Sequence, residues 1–115
     1  MGQTWVEHST SFSALKDPVC MASLISSPVS IKGKLQNILF FSNPDTESGR
    51  YNISIKASRD LGESWDEKNA VLVDSRNSYG YSSLVRIDAN QIGILYEGTG
   101  DLYFVVVPIK DILRY

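Results

Sequence analysis

The sequence predicts an all-β protein built from antiparallel strands. Helical periodicity is nearly absent from its 115 residues, whereas short runs of β-branched, aromatic and aliphatic residues recur along the chain. Segments rich in Gly, Pro, Asn, Asp and Ser separate these runs, as is typical of turns between antiparallel strands. Seven runs are expected to form strands: Val19–Ser26, Asn37–Asn43, Arg50–Ser58, Ala70–Asp74, Ser82–Asp88, Gln91–Glu97 and Leu102–Ile109. Only the last residues, Asp111–Tyr115, are expected to form a short helical turn.

Composition and charge exclude several classes of protein. The formal net charge is −2 and there is no run of Lys or Arg, which argues against a nucleic-acid-binding surface. The one cysteine, Cys20, permits neither an intrachain disulfide nor a cysteine zinc site. No stretch reaches the roughly 18 apolar residues of a membrane helix, and the first residues lack the pattern of a signal peptide. What remains is a globular chain with an ordinary apolar fraction of 43 %.

One eight-residue motif, S-x-D-x-G-x-[ST]-W, is complete at Ser58–Trp65, and its second half also occurs at Gly2–Trp5. The repeat distance from Gly2 to Gly62 is 60 residues. Ser58 and Asp60 carry short side chains whose oxygens can bond to backbone N–H groups in a tight turn. Gly62 permits a positive φ, and the ring of Trp65 can pack against the adjoining sheet. The motif therefore predicts a compact turn between two strands.

Two architectures are compatible with this pattern. A single β-sandwich would use about seven strands, but a repeat of this length favours a β-propeller, in which each four-stranded blade carries one copy of a motif. On that interpretation the chain supplies about two blades, residues 1–65 and 66–115. A propeller closes with roughly four or more blades. We therefore expect the chain to begin inside a repeat, with Met1 as an internal methionine, and its open strand edges to favour self-association.

The motif and its surroundings resemble the bacterial exo-α-sialidases of glycoside hydrolase family 33. The motif matches their Asp-box, or BNR repeat, a structural hairpin that also occurs in propellers of other function. "FFSNPDTESGRYN" precedes it, and "GYSSL" and "ILYEG" follow it, in the order found in the C-terminal part of this family. The resemblance implies a six-bladed propeller with an axial active site, sialylated glycans as substrates, and neither a metal nor an organic cofactor. It also implies a parent enzyme that is secreted or periplasmic.

Three residues match the family's catalytic pattern by their surroundings. Arg50 matches the third arginine of a triad that binds the carboxylate of sialic acid, a task suited to a guanidinium. Tyr81 matches the nucleophile; sialidases use tyrosine where most retaining glycosidases use a carboxylate, because a neutral phenol avoids repulsion by the substrate's own carboxylate. Glu97 matches the carboxylate that orients the first arginine. Tyr79 is expected to pack or to line the pocket.

Other parts of the family's site have no counterpart in the sequence: the first two arginines, the aspartate acid/base and the glutamate that activates the tyrosine. The sequence therefore predicts half of an active site and no sialidase activity from these residues alone. A second hypothesis is a non-catalytic Asp-box propeller piece that binds glycans or assembles with another protein. Under that hypothesis Arg50 is a solvated residue at a strand start and Glu97 only ends a strand. A self-contained β-sandwich is the third hypothesis.

Overall fold

The computed structural model describes all residues from 1 to 115 and contains seven strands and one short helix. In chain order these are β1 (Ser23–Ile31), β2 (Lys34–Pro44), β3 (Ile53–Ser58), β4 (Ala70–Asp74), β5 (Ser82–Arg86), β6 (Gln91–Glu97), β7 (Leu102–Pro108) and α1 (Ile109–Leu113). The predicted all-β class is confirmed. Because α1 has only five residues, the structure has no helix that could cross a membrane.

The strands form two antiparallel sheets in which chain order equals spatial order. The first sheet is β1-β2-β3-β4 and the second is β5-β6-β7. The second sheet has three strands, whereas the blade interpretation predicts four, and the chain turns into α1 directly after β7. The boundary between the sheets lies between Asp74 and Ser82, later in the chain than residue 65. The division of the chain into two blades, residues 1–65 and 66–115, stays a prediction.

The first strand lies further along the chain than predicted. The turn predicted between the first two strands, Val19–Ser26 and Asn37–Asn43, is confined to Lys32 and Gly33, whose φ angles are 50° and 77°. Alternate side chains from Ser27 to Ile31 are buried, which is the two-residue period of a half-buried strand. Pro28 is accommodated because β1 is an edge strand, the usual place for proline in a sheet. The Ser and Pro residues concealed this period in the sequence.

The hydrophobic core lies between the two sheets. Fully buried isoleucines from both sheets, such as Ile55 and Ile94, belong to one cluster of 15 residues with Phe40. The helix α1 adds to this cluster by burying Ile109 and Ile112. Burial of apolar surface is non-directional, so it holds the two sheets together without fixing how they are aligned.

The connections at the two ends of the sheets carry different features. The β2–β3, β4–β5 and β6–β7 connections lie at one end, together with the start of β1. Arg50, Tyr81 and Glu97 all belong to this end. The motif Ser58–Trp65, which resembles an Asp-box and is given that name below, lies in the β3–β4 connection at the opposite end of the first sheet.

Candidate active site

Arg50 lies in the β2–β3 connection, and two backbone carbonyls hold its guanidinium group. Its Nη1 donates to the carbonyl oxygen of Tyr79 at 2.7 Å, and its Nη2 donates to that of Val19 at 3.1 Å. The remaining N–H groups of the guanidinium are left for a ligand. Arg50 takes part in none of the chain's ion pairs. A guanidinium that is oriented by carbonyls but not neutralised is suited to binding an anion.

Tyr81 and Glu97 are paired at the same end of the second sheet. The backbone N–H of Tyr81 donates to Glu97 Oε2 at 3.0 Å, and the backbone N–H of Glu97 donates to the Tyr81 carbonyl at 3.0 Å. The guanidinium carbon of Arg50 lies 5.8 Å from the centroid of the Tyr81 ring. Tyr81 is 47 % exposed, so solvent reaches it. The structure thus brings together the three residues that the sequence analysis selected.

Gly80 allows the β4–β5 connection to pack closely against Arg50 and Cys20 beside this group. Its φ is +100°, and a Cβ atom there would lie 2.7 Å from Cys20 Sγ and 2.9 Å from Arg50 Cδ. Both the backbone conformation and the space therefore require glycine. Burial raises the pKa of the Cys20 thiol, and the positive charge of Arg50 opposes this effect. Cys20 is accordingly an uncharged packing residue at neutral pH.

The segment before β1 supplies one of the carbonyls that hold Arg50. Val19 has a φ of 61°, a left-handed conformation that is strained for a β-branched residue. The turn is fixed by Asp17, whose Oδ2 accepts from the backbone N–H of Cys20 at 2.9 Å. The fully buried side chain of Asn43 donates to the carbonyl of Lys16 at 2.6 Å and to Asp17 Oδ1 at 3.1 Å. The strained segment that carries the Val19 carbonyl is thus held in place by Asn43 of the first sheet.

The Asp-box loop is closed by its own hydrogen bonds. The Ser58 hydroxyl donates to Asp60 Oδ1 at 2.7 Å and accepts from the N–H of Gly62 at 2.8 Å. The Asp60 carboxylate also accepts from the backbone N–H of Ser64 at 2.9 Å and from the Ser64 hydroxyl at 2.5 Å. These bonds satisfy donors that the tight turn would otherwise leave unpaired. None of them reaches Arg50, Tyr81 or Glu97.

Trp65, the last Asp-box position, joins this loop to the first sheet. Its ring meets the ring of Phe41 edge-on, with the centroids 5.9 Å apart. Gly62 has a φ of +93°, which side chains other than glycine rarely adopt. In the incomplete copy at the start of the chain, Trp5 is 89 % exposed. The complete box is therefore a structural element of the first sheet.

Acid is expected to weaken the Asp-box loop. Hydrogen bonds from Ser64 and Ser58 lower the pKa of Asp60 from its ordinary 3.8 to about 2. Since the folded pKa is depressed, the stabilisation is complete above pH 3.8 and is lost as the pH falls through about 2. Asp60→Asn should therefore melt below the wild type at neutral pH, and the difference should shrink to zero near pH 2. Thermal melting of both proteins between pH 7 and pH 2 measures this; a pH-independent difference would contradict it.

The cavity beside Tyr81 is small, and the largest cavity lies elsewhere. About 250 Å³ of open space borders Tyr81 and Glu97, with Met21, Leu95 and Leu102 as its apolar wall. A cavity of about 660 Å³ lies at the opposite end of the second sheet, around residues 88–91 and 108–115. It contacts none of the three site residues, so the chemistry and the largest cavity do not coincide. A site that enclosed a sugar would need further walls around Tyr81.

Two antiparallel sheets that hold an oriented arginine beside a tyrosine were compared with known proteins, and the similar proteins found are sialidases. The chain is 45 % identical to a sialidase of Bacteroides fragilis (strain YCH46) over 115 residues, which is 99 % of this chain and 21 % of that protein. It is also similar to the solved structure of Hadza microbial sialidase Hz136, with a TM-score of 0.86 and 44 % identity over 96 % of this chain and 22 % of that one. No protein-family model matches.

The resemblance to sialidases is therefore confirmed, and the chain spans about a fifth of the length of these two relatives. The similarity extends over nearly the whole chain and includes both sheets. The particular roles of Arg50, Tyr81 and Glu97 stay predictions, because the comparisons concern the chain as a whole.

Sequence reasoning missed two residues of the site. Gly80 stands between two tyrosines in "YGY", and a glycine next to a predicted nucleophile was the one signal that could have drawn attention to it. Val19 gives no signal, because valine is among the residues least expected at a positive φ. Tyr79 was expected to pack or line the pocket; its carbonyl instead accepts the shortest hydrogen bond that Arg50 makes.

Proposed function

We propose that the chain supplies part of the active site of an exo-α-sialidase that hydrolyses terminal sialic acid with retention through a tyrosine nucleophile. The observation that carries the proposal is the placement of an unneutralised Arg50 guanidinium 5.8 Å from the ring of an accessible Tyr81, which is paired with Glu97. Since the chain spans about a fifth of two proteins named sialidases, we propose catalysis for a longer or assembled protein. Its substrates would be sialylated glycans.

Each residue has a defined task in this mechanism. Arg50 binds the substrate carboxylate through the N–H groups that its carbonyl partners do not use. The phenolic oxygen of Tyr81 attacks the anomeric carbon while the bond to the leaving-group oxygen breaks. A base takes the phenol proton and an acid protonates the leaving oxygen; we propose that both come from outside these residues. Water then attacks the anomeric carbon, releases sialic acid and returns the Tyr81 hydroxyl.

Glu97 supports the nucleophile in this arrangement. One of its oxygens holds the backbone of Tyr81, and the residue forms no ion pair within the chain. Its negative charge therefore remains for a cation supplied from elsewhere, in line with the arginine-orienting role that the resemblance implies.

A second candidate function, assembly with another protein or with itself, is favoured by one specific observation. The face of the second sheet that turns away from the core carries a row of apolar side chains, each 43–66 % exposed. They are Val85, Ile87, Leu95, Leu102, Phe104 and Val106. Contiguous exposed apolar surface commonly marks an interface. This surface is compatible with both candidates, so only catalysis distinguishes them.

We expect the 115-residue chain alone to show no turnover of a fluorogenic α-sialoside. A chimera in which the chain replaces the matching segment of the Bacteroides fragilis sialidase should be active. Tyr81→Phe in that chimera should reduce kcat by about three orders of magnitude or more, because it removes the nucleophilic oxygen. Tyr79→Phe is the matched control. It also removes a phenolic oxygen, and the ring of Tyr79 is about as exposed as that of Tyr81 and lies only two residues earlier in the chain.

Three outcomes of this assay are informative. Loss of activity with Tyr81→Phe and retention with Tyr79→Phe supports the sialidase proposal. Full activity of the Tyr81→Phe chimera would show that Tyr81 is not the nucleophile, and it would favour the assembly function. Turnover by the isolated chain that disappears with Tyr81→Phe would show that the chain needs no further residues, contrary to the prediction.

A further inference from the structure

Directional polar contacts between the two sheets are concentrated at the end that carries the candidate site. Arg50 of the first sheet's β2–β3 connection donates to the carbonyl of Tyr79. Asp74, at the end of β4, accepts a hydrogen bond from the hydroxyl of Tyr96 on β6 at 2.9 Å. Hydrogen bonds require defined distances and angles, whereas apolar burial does not. These contacts, unlike the apolar core, can therefore fix how the second sheet is aligned with the first.

The hydroxyl of Tyr96 is held by an acceptor that remains charged. Asp74 accepts from Arg76 Nε at 3.0 Å and from Arg76 Nη2 at 2.7 Å, in addition to the bond from Tyr96. The hydrogen bonds from Arg76, opposed by burial and assisted by Tyr96, hold the pKa of Asp74 well below its ordinary value. Tyr96 is only 4 % exposed. A buried hydroxyl bonded to a carboxylate is among the stronger and costlier hydrogen bonds to lose.

The position of Tyr96 is transmitted to Tyr81 through a single residue. Glu97 follows Tyr96 directly, and it holds both the N–H and the carbonyl of Tyr81 at 3.0 Å. The opposite face of β6 thus carries the contact to Asp74, and the next residue carries the contact to the nucleophile. A shift of the end of β6 relative to the first sheet would move Tyr81 relative to Arg50.

We propose that Asp74 and Tyr96 are positioning residues: their hydrogen bond between the sheets, together with the bond between Ser42 and Ser82 next to Tyr81, sets the location of Tyr81 and Glu97 relative to the guanidinium of Arg50. The importance of this hydrogen bond for catalysis rests on the proposed function. Its effect on the position of Tyr81 does not, and it can be measured on the chain alone. Tyr96 borders the open space beside Tyr81, but its hydroxyl is bonded to Asp74, so the effect of this hydrogen bond is exerted through Glu97.

The chain contains a matched control for the test. Tyr96 and Tyr103 are neighbours whose ring centroids lie 5.5 Å apart, and both hydroxyls donate to an aspartate. Tyr96 bonds across the sheets to Asp74, whereas Tyr103 bonds to Asp101, next to its own strand. Replacing either tyrosine by phenylalanine keeps the ring and removes one hydroxyl. Only Tyr96→Phe removes a contact between the sheets.

The experiment is amide hydrogen exchange by NMR on the wild-type chain, Tyr96→Phe and Tyr103→Phe. We expect Tyr96→Phe to speed exchange of the Tyr81 N–H by about tenfold relative to the Ile109 N–H, because local opening at Tyr81 becomes easier. The Ile109 N–H is bonded to the Asn90 carbonyl at 2.8 Å, at the far end of the second sheet, and it reports general loss of stability. Contacts between Arg50 side-chain protons and the Tyr81 ring should weaken in parallel.

Asp74→Ala should speed exchange of the Tyr81 N–H at least as much as Tyr96→Phe does, because it also removes the bonds from Arg76. Adding Tyr96→Phe to Asp74→Ala should produce no further acceleration, because the bond between the two residues is already lost. If Asp74→Ala does not fold, Tyr96→Phe decides alone. Equal acceleration of the Tyr81 and Ile109 amides, or equal effects of Tyr96→Phe and Tyr103→Phe, would overturn the proposal. The readout needs no substrate, so its failure is distinct from failure of the sialidase proposal, which the Tyr81→Phe chimera decides.

Discussion

Replacing Phe40 with alanine is expected to bring the chain close to unfolding. The side chain is completely buried between the two sheets, so its loss removes apolar contacts from both and leaves a cavity. Such substitutions cost about 3–5 kcal/mol in the free energy of unfolding, against about 5–15 kcal/mol for a whole domain. The urea midpoint of unfolding measures the loss.

Phe12→Ala is the control for this substitution. Phe12 has the same side chain but is entirely exposed, so its removal should change the free energy of unfolding by no more than about 0.5 kcal/mol. Equal urea midpoints for the two variants would show that the interface between the sheets is not the core of the folded chain.

Replacing Gly80 with alanine is expected to disturb both stability and the candidate site. The new Cβ would lie 2.7 Å from Cys20 Sγ and 2.9 Å from Arg50 Cδ, and φ would remain at +100°. The backbone strain costs about 1–3 kcal/mol, and the overpacking adds about 1–3 kcal/mol. Relief of the clash requires Arg50 or Cys20 to move. We therefore expect kcat/KM of the chimera to fall with Gly80→Ala, beyond any loss of folded protein.

Gly100→Ala separates the two causes. Gly100 has nearly the same backbone conformation, φ +102°, but a Cβ there would meet no atom within 4 Å. It should therefore show the strain without the clash and leave the kcat/KM of the chimera unchanged. If Gly80→Ala and Gly100→Ala destabilise the chain equally, the close packing of Gly80 against Arg50 has no energetic weight, and the expectation fails. Urea titrations of both variants provide the comparison.

Local features of the sequence were enough for the class and for most of the strands. Period-two patterns and turn residues predicted β3 to β7 to within a few residues, because each strand's pattern lies within the strand itself. The first strand was predicted too early in the chain, because its Ser and Pro residues obscure the alternation of buried and exposed side chains. Its position becomes clear only from its pairing with β2. The predicted helical turn near the end of the chain is present as α1.

The candidate site was predictable only in part. Arg50, Tyr81 and Glu97 stand in recognisable local surroundings, so sequence resemblance could select them. The contacts that arrange them could not be selected in this way, because they join residues far apart in the chain. Arg50 is 31 residues from Val19 and 29 from Tyr79, and Asp74 is 22 from Tyr96.

The sequence by itself thus determined the all-β class, most strand positions, the turn chemistry of the Asp-box and the sialidase resemblance. The class, the strand positions and the turn chemistry follow from short-range periodicity and from the conformational preferences of single residues, whereas the resemblance rests on the motifs around Arg50, Tyr81 and Glu97. Only the tertiary structure decided that Arg50 lies beside Tyr81, that Gly80 packs against Cys20 and Arg50 and that Asp74 reaches Tyr96. Apolar burial drives the two sheets together with little directional preference, and the directional contacts between the packed sheets define their alignment more narrowly.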